Sequence, residues 1–154
     1  MTDHAPIVFE QPVRIRFAHC DPAGIVFFPQ YLTLTNALVE DWFTDALGID
    51  YAEMIGNRRV GLPIVKLECD FLRPSRMGET ISLALSLIDV GSRSIRIRIV
   101  GRGTDGVRFA AEQVLVTTSL ESGTSISIPD DIRAALVQAA ATRNSSSTTE
   151  YKGA

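Results

Sequence analysis

The chain has 154 residues, of which 45% are hydrophobic and 21% are charged, and its formal net charge is −3. A chain of this length fits one domain and can bury a substantial core. The small acidic charge argues against a nucleic-acid-binding domain, which normally carries a basic excess or a basic face. It does not exclude a site for a small anion, because a few well-placed arginines are enough to bind one phosphate group.

The start of the chain lacks the basic and apolar regions of a signal peptide, and no apolar run approaches the roughly 20 residues that cross a bilayer. The two cysteines, Cys20 and Cys69, do not suggest a disulfide framework. These features favour a reduced, cytoplasmic protein that binds neither nucleic acid nor a membrane. A single bridge between the two cysteines stays open as an alternative.

The first half of the chain predicts a strand, a loop and a long helix. Residues 1–12 show little pattern and are interpreted as a lead-in, whereas residues 13–17 alternate apolar and basic side chains as a half-buried strand does. Proline and glycine then mark a loop at residues 20–24. From residue 31 to about residue 47 the apolar residues follow a helical period, and the predicted helix is apolar around so much of its circumference that we expect it to be largely enclosed. Its apolar stripe consists of Tyr31, Leu34, Leu38, Trp42 and Ala46.

The second half of the chain predicts strands. The strand patterns cover residues 63–72, 80–88, 94–101 and 107–120. Asp105-Gly106 lies between the last two patterns and is a strong hairpin signal. Short connections favour antiparallel neighbours, so we expect the four strands to form a meander. A last helix is predicted through Ala140, and the tail, residues 141–154, is rich in Ser and Thr and is predicted to be disordered.

This order of elements predicts one α+β domain over residues 13–140. An antiparallel sheet that curls around one apolar helix satisfies the pattern, since it buries the helix and covers one face of every strand. The other face of the sheet then stays exposed or meets a partner. We therefore expect an oligomer.

Most familiar catalytic constellations are missing from the sequence. Only two histidines are present, His4 and His19, so a histidine-rich metal site is excluded, and the spacing of His19, Cys20 and Cys69 matches no zinc pattern. The sequence contains neither a G-x-S-x-G nucleophile elbow nor a G-x-x-x-x-G-K-[ST] phosphate loop. We therefore predict no metal site.

One acidic side chain lies in a loop just before the long helix. Asp21 begins the sequence Asp-Pro-Ala-Gly, and such a rigid loop holds a carboxylate beside apolar residues. The start of the helix supplies unpaired backbone N–H groups and the positive end of the helix dipole, which stabilise a developing oxyanion. A carboxylate and an N–H donor are sufficient to transfer an acyl group to water. The alternative is a helix cap, which is the commoner role of an aspartate in this position.

The segment Asp21-Pro22-Ala23-Gly24-Ile25-Val26 and the following Phe27-Phe28-Pro29-Gln30-Tyr31 resemble the signature of the 4-hydroxybenzoyl-CoA thioesterase family. That signature reads Asp-x-Ala-Gly-apolar-Val, then two aromatic residues, two variable residues and Tyr. The likeness extends to residues 61–65, 71–74 and 78–80. It implies the hotdog fold, in which an antiparallel sheet wraps a long central helix, and a homodimer or homotetramer with active sites at the subunit interface.

The resemblance also implies catalytic roles. The family's catalytic aspartate falls on Asp21, which either attacks the thioester carbonyl or activates water, and the family's backbone N–H donor falls around Phe28. A second lineage of the family uses a glutamate on the central helix, and Glu40 is the only glutamate in the predicted helix. Glu40 is therefore a secondary catalytic candidate or a buried structural acid.

The sequence specifies the acyl group of the substrate less well than it specifies the reaction. Asn36 stands where the 4-hydroxybenzoyl-specific enzyme carries an acid, while Phe28 and Leu34 replace a tyrosine and a tryptophan. We expect an apolar pocket for an aromatic or a short to medium aliphatic acyl group. Its predicted residues are Phe27, Phe28, Leu34 and Ile64, with Tyr31 at the helix start either in the pocket or packed with its hydroxyl bonded to a partner.

Arginines are the candidates for binding the phosphates of CoA. The family often places basic residues at the turn before the third predicted strand, which favours Arg93. Arg96 and Arg98 share one face of that strand, and the alternative for them is a solvated outer face. Arg73 and Arg76 are further candidates.

The predicted function is the hydrolysis of an acyl-CoA thioester to the free acid and CoA. No cofactor is expected, because CoA enters as part of the substrate. The alternatives are hydrolysis of an acyl group from acyl carrier protein and a non-catalytic acyl-CoA-binding protein of the same fold. The intact motif around Asp21 favours catalysis.

Overall fold

The computed structural model describes residues 5–144 of the chain, with side chains up to residue 142. The strands are β1 (Ile7–Arg14), β2 (Val60–Gly61), β3 (Ile64–Phe71), β4 (Thr80–Val90), β5 (Ser94–Gly103), β6 (Gly106–Val116) and β7 (Thr118–Ser119). The helices are α1 (Pro29–Asp41), α2 (Tyr51–Gly56) and α3 (Asp130–Asn144), and a π-helical segment, Trp42–Ala46, continues α1. A short 3-10 turn, Phe17–His19, follows β1.

Five strands form an antiparallel sheet in the order β1-β4-β5-β6-β3. Gly103 pairs with Gly106 across a two-residue turn between β5 and β6, which confirms the predicted hairpin. The predicted four-strand meander is wrong in one respect, since β3 pairs with β6 and not with β4. Strand β1 pairs with the edge of β4 that β5 leaves open, so β3 lies at the opposite edge of the sheet.

Helix α1 packs its apolar stripe on the inner face of the sheet. Tyr31, Leu34, Leu38 and Trp42 are buried in one core cluster, as the sequence predicts, and this confirms the α+β fold of a helix packed on an antiparallel sheet. Ala46 was also predicted on the stripe but is exposed. The reason is the π-helical segment, in which the Leu47 N–H donates to the Trp42 carbonyl oxygen at 3.0 Å. The wider turn rotates the residues after Trp42 off the stripe.

The helix is less enclosed than its composition predicts. The side of α1 away from the core is exposed at Thr33, Asn36, Ala37 and Glu40, which recur at intervals of three or four residues. The interpretation of Glu40 as a buried structural acid is therefore wrong. This uncovered side of α1 forms part of the candidate site.

The first strand begins earlier in the chain than predicted, and the last helix continues further. Residues 7–12, interpreted as a lead-in, belong to β1 and pair with β4. Pro12 fits there because β1 is an edge strand, where a missing N–H is tolerated. Helix α3 continues to Asn144, and the rest of the predicted disordered tail lies outside the described residues. Within the described part of the chain, no helix is both long and apolar enough to span a membrane.

Leu38→Ala tests the helix-on-sheet packing. Leu38 has no exposed surface, so its truncation leaves a cavity between α1 and the sheet. We expect the free energy of unfolding to fall by about 2 to 5 kcal/mol in chemical denaturation at a fixed protein concentration. Val137→Ala is the control, because Val137 is 59% exposed and its truncation should change the value by less than about 0.5 kcal/mol. Equal effects of the two substitutions would contradict the packing.

Candidate active site

Asp21 lies at the start of a tight turn between two short paired segments. Cys20 pairs with Val26, and the Phe27 N–H donates to the His19 carbonyl oxygen at 3.0 Å. Inside this pairing the Gly24 N–H donates to the Asp21 carbonyl oxygen at 3.0 Å. Gly24 has a φ of +74°, a conformation that side chains with a Cβ rarely adopt, so glycine is needed to close the turn. Residues 21–24 are called the Asp21 turn below.

The carboxylate of Asp21 does not cap the helix. Its Oδ1 accepts a hydrogen bond from the Ala23 N–H at 2.8 Å, within its own turn, while α1 begins at Pro29 with Phe28 in the capping position. Asp21 is half-buried, and among the described residues Oδ2 accepts no hydrogen bond. The carboxylate is thus held through one oxygen and presents the other, which is the arrangement that a nucleophile or a general base needs.

The backbone N–H of Phe28 is an unpaired donor at the start of α1. The helical bonds begin with the Gln30 N–H donating to Phe27 at 2.8 Å and the Tyr31 N–H donating to Phe28 at 3.1 Å, and Pro29 has no N–H. Within the described chain, no acceptor is bonded to the Phe28 N–H. This donor therefore lies at the positive end of the helix dipole, next to the segment that carries Asp21.

An aromatic group surrounds the start of α1. Phe28 packs edge-on against both Phe27 and Phe71, with ring centroids 5.5 and 5.6 Å apart, and Tyr31 packs on Phe109 at 4.6 Å. Phe27 and Phe28 are 50% and 56% exposed, so each has a free ring surface.

Tyr31 anchors the start of α1 to the loop between β3 and β4. This loop, residues 72–79, is called the clamp loop below. Tyr31 is buried, and its hydroxyl donates to Ser75 Oγ, also buried, at 2.8 Å. The hydroxyl of Tyr31 is thus satisfied by a partner, as the packing alternative predicted.

A cleft of about 530 Å³ runs along the uncovered side of α1. Of the predicted substrate residues it contains Asn36 and Ile64, and it also contains the secondary catalytic candidate Glu40. The remaining lining residues are Thr33, Ala37, Val39, Tyr51, Leu62, Pro63, Gln113 and Leu115. Leu34, which was predicted in the pocket, is not among them and belongs to the core on the opposite side of α1.

The cleft also contains Tyr51 and Gln113, which were not predicted. Burial, together with the negative charge of Glu40, raises the pKa of Tyr51, so its hydroxyl stays protonated as a donor. Gln113 is buried and donates through Nε2 to Thr35 Oγ1 at 3.2 Å, and Thr35 in turn donates to the Leu32 carbonyl oxygen. Since the Thr35 hydroxyl has only one proton, it can only accept from Gln113, and Gln113 Oε1 is left as a buried acceptor without a partner among the described residues.

The predicted arginines do not form one cluster. Arg93 lies in the turn between β4 and β5 and donates to Ser125 Oγ at 3.1 Å. Arg96 is on the exposed outer face of the sheet, with its Nε 3.7 Å from a carboxylate oxygen of Glu112. Arg76 pairs with Ile25 and thus lies beside the Asp21 turn.

A model of the thioesterase-like superfamily matches residues 15–136 of the chain. The chain belongs to this superfamily. The resemblance found in the sequence is thereby confirmed at the level of the superfamily, whereas the relatives described next carry the names of other substrates than 4-hydroxybenzoyl-CoA.

The chain is similar to a 1,4-dihydroxy-2-naphthoyl-CoA hydrolase of Synechococcus elongatus, with 34% identity over 84 residues. The match covers 54% of this chain and 61% of that relative. Among solved structures, a gentisyl-coenzyme A thioesterase superposes with a TM-score of 0.75 and 24% identity, over 82% of this chain and 98% of the other. A Staphylococcus aureus protein in complex with CoA gives a TM-score of 0.79 at 12% identity, over 89% of this chain and 85% of the other. These superpositions show the hotdog fold.

The sequence reasoning missed residues whose signal depends on tertiary contacts. Ser75, Tyr51 and Gln113 lie 44, 20 and 82 positions from Tyr31 and belong to no short motif. Only the sheet register and the packing of α1 bring them to the site. His19 lies two residues before Asp21, but its Nδ1 accepts from the Arg16 N–H at 2.9 Å within the preceding turn.

The Tyr31–Ser75 bond is tested with a double-mutant cycle. Tyr31→Phe leaves the buried Ser75 hydroxyl without its donor and should lower the free energy of unfolding by about 1 to 3 kcal/mol. Removing both hydroxyls in Tyr31→Phe/Ser75→Ala should cost less than the sum of the single substitutions, because no unpaired group remains. Strictly additive losses in chemical denaturation would show that the two hydroxyls do not interact.

Proposed function

We propose that this protein hydrolyses the thioester bond of an acyl-CoA, with Asp21 as the catalytic carboxylate. The observation that carries the proposal is the half-buried Asp21, held through one oxygen beside the unpaired Phe28 N–H at the start of α1. Membership of the thioesterase-like superfamily supports the reaction class. The 34% identical relative named as a 1,4-dihydroxy-2-naphthoyl-CoA hydrolase supports CoA as the thiol.

The proposed reaction follows one of two routes. Asp21 attacks the thioester carbonyl carbon, the carbon–sulfur bond breaks, CoA leaves as the thiolate, and water then hydrolyses the acyl–aspartyl anhydride. Alternatively, Asp21 takes a proton from a water molecule as that water attacks the carbonyl carbon, and the carbon–sulfur bond then breaks to release the free acid and the CoA thiolate. In both routes the carbonyl oxygen gains negative charge, and the Phe28 N–H, reinforced by the dipole of α1, is the proposed donor to it. No cofactor takes part.

The uncovered cleft is the proposed binding site for the acyl group. Its volume of about 530 Å³ lies within the usual range for small-ligand sites and accommodates a fused aromatic ring. The cleft presents acceptors at Glu40 and Gln113 and a donor at Tyr51, in addition to the amide of Asn36. A hydroxylated aromatic acyl group matches this mixture of apolar wall and polar groups better than a plain aliphatic chain.

The proposed assembly is a homodimer that pairs the two β3 strands. One side of β3 is bonded to β6, and the other is an open sheet edge with Ile64, Val65, Leu67 and Phe71 each at least 38% exposed. An apolar edge of this kind is a surface for pairing with another chain. A second copy related by a two-fold axis pairs antiparallel with it and makes the same contacts twice.

This pairing makes the proposed active site a composite of two chains. An antiparallel pair centred on the middle of β3 puts Phe71 opposite the partner subunit's Ile64. Phe71 packs against Phe28 at the start of α1, and Ile64 lines the cleft. The Asp21 turn and the Phe28 N–H of one chain are then next to the cleft of the other.

Arg93, in the turn between β4 and β5, is the proposed contact for the phosphates of CoA. Ser94 pairs with Val116, whose N–H bonds to Pro63 at 3.1 Å, so Arg93 lies at the same end of the sheet as the cleft. Arg96 extends this basic surface on the outer face. A Staphylococcus aureus protein with the same fold has been solved in complex with CoA, and this supports CoA as the proposed ligand.

Asp21→Asn tests the catalytic assignment. The amide keeps an oxygen to accept from the Ala23 N–H, so the turn is retained, but the side chain can neither attack nor take a proton. We expect kcat to fall by about 10²- to 10⁴-fold on the best substrate of a panel of aromatic, short and medium acyl-CoAs followed by thiol release. Glu40→Gln is the comparison and should keep most of the activity.

The panel also separates the alternatives. Turnover of acyl groups only from acyl carrier protein would move the substrate assignment to that thiol, and binding of acyl-CoA without turnover would indicate a non-catalytic protein. An Asp21→Asn variant with wild-type kcat would overturn the assignment of Asp21, and a large loss in Glu40→Gln would transfer it to Glu40.

Val65→Glu tests the dimer interface. Val65 on β3 and Val137 on α3 are 62% and 59% exposed, so they offer a matched pair of surface valines. A charge at Val65 should shift the protein toward monomer in light scattering coupled to gel filtration and lower the activity, whereas Val137→Glu should change neither. Retention of the wild-type mass by both variants would rule out pairing through β3.

A further inference from the structure

The Asp21 turn is held from outside by the backbone of the clamp loop. The Met77 N–H donates to the Gly24 carbonyl oxygen at 3.0 Å, and the Val26 N–H donates to the Ser75 carbonyl oxygen at 2.9 Å. The position of the Asp21 turn therefore depends on where the clamp loop lies.

The clamp loop is held in turn by one arginine of β6. The side chain of Arg108 is only 4% exposed, and its Nη1 donates to the Pro74 carbonyl oxygen at 3.0 Å and to the Glu79 carboxylate. The Arg108 carbonyl oxygen accepts from the Leu72 and Arg73 N–H groups at 2.9 and 3.1 Å. Arg108 thus bonds to both ends of the clamp loop.

The hairpin between β5 and β6 is shaped to receive this side chain. Arg108 Nε and Nη2 both donate to Asp105 Oδ1, at 3.0 and 2.7 Å. These hydrogen bonds hold the pKa of Asp105 below its ordinary value, so the carboxylate stays charged. A Cβ at Gly103 would overlap the guanidinium of Arg108, so only glycine leaves room for it. Each of the three guanidinium nitrogens therefore donates to a hydrogen-bond acceptor.

Stability alone does not account for this arrangement. The guanidinium of Arg108 loses most of its hydration because its side chain is only 4% exposed, whereas its partner Asp105 is 60% exposed, so the attraction between the two charges offsets little of that loss. The network instead fixes the position of the clamp loop relative to the hairpin, because the planar guanidinium bonds to the hairpin, Pro74 and Glu79 in fixed directions.

We propose that Arg108 is a positioning residue for the thioester hydrolysis, acting through the clamp loop on the Asp21 turn without touching the substrate. This inference rests on the proposed function of Asp21. It predicts that a change far from the substrate lowers the rate of the chemical step, because small displacements of a catalytic group reduce kcat strongly.

The test compares Arg108→Met with Arg58→Met. Both remove an arginine that bonds to an aspartate through two nitrogens, but Arg58 bonds to Asp131 at the start of α3, at 2.7 and 2.8 Å. We expect Arg108→Met to lower kcat by about 10- to 100-fold with little change in KM, at a temperature where circular dichroism shows both variants folded. Arg58→Met should keep the wild-type kcat. Equal kcat values for Arg108→Met and wild type would overturn the proposal.

Two milder variants decide the question if Arg108→Met does not fold. Asp105→Asn alters an exposed carboxylate of the same network, and Arg108→Lys keeps the charge while losing the fixed fork. Both variants should remain folded and should lower kcat with little change in KM. Where Arg108→Met can be measured, Arg108→Lys should retain more activity than Arg108→Met. Wild-type kcat in both folded variants would overturn the proposal.

Hydrogen exchange gives a readout that is independent of activity. In Arg108→Lys and Asp105→Asn the amides of Gly24, Val26 and Met77 should exchange faster than in wild type, whereas amides in the middle of β4 and β5 should not change. Unchanged protection at these three amides would contradict the positioning role even if kcat fell. If the wild type hydrolyses no acyl-CoA, the proposed function fails, and the exchange data alone decide whether Arg108 positions the Asp21 turn.

Discussion

The packing of α1 on one face of the sheet is the constraint from which the rest of the molecule follows. Leu38 and Trp42 have no exposed surface, and their contacts with the inner face of the strands fix the direction and rotation of the helix. That rotation turns Asn36 and Glu40 outward into the cleft. The same packing fixes the start of the helix, and with it the unpaired Phe28 N–H next to the Asp21 turn.

The catalytic geometry proposed here is supported by structure that lies far from it in the sequence. The Asp21 turn bonds to the clamp loop, the clamp loop bonds to Arg108, and Arg108 bonds to Asp105 in the hairpin between β5 and β6. Because strand order puts β3 at the edge opposite β1, the clamp loop crosses the end of the sheet and can contact both the turn and the hairpin. The strand order that makes the predicted meander wrong therefore also allows the clamp loop to make these contacts.

Local patterns predicted the parts of the fold that are local. The helical stripe through Leu38 and Trp42, the Asp-Gly hairpin and the strand periods were all visible, because each depends on neighbours within a few residues. Ala46 was misplaced because the π-helical turn has no signal in the apolar period. The position of β3 was missed since strand order depends on contacts between distant segments, and Gln113 and Ser75 were missed for the same reason. The motif around Asp21 stood out through a family resemblance and not through its periodicity.

Subunit complementation tests the central claim that Asp21 of one chain acts on an acyl group in the cleft of its partner. Asp21→Asn removes the carboxylate, and Ala37→Trp fills the cleft, which Ala37 lines, so each variant alone should be inactive. In an equimolar mixture of the two chains, dissociated and reassembled, about half of the dimers are hybrids with one intact composite site. We predict recovery of about a quarter of the wild-type kcat in that mixture. No recovery in verified hybrid dimers would contradict the composite site and place Asp21 and the cleft of the same chain in one active site.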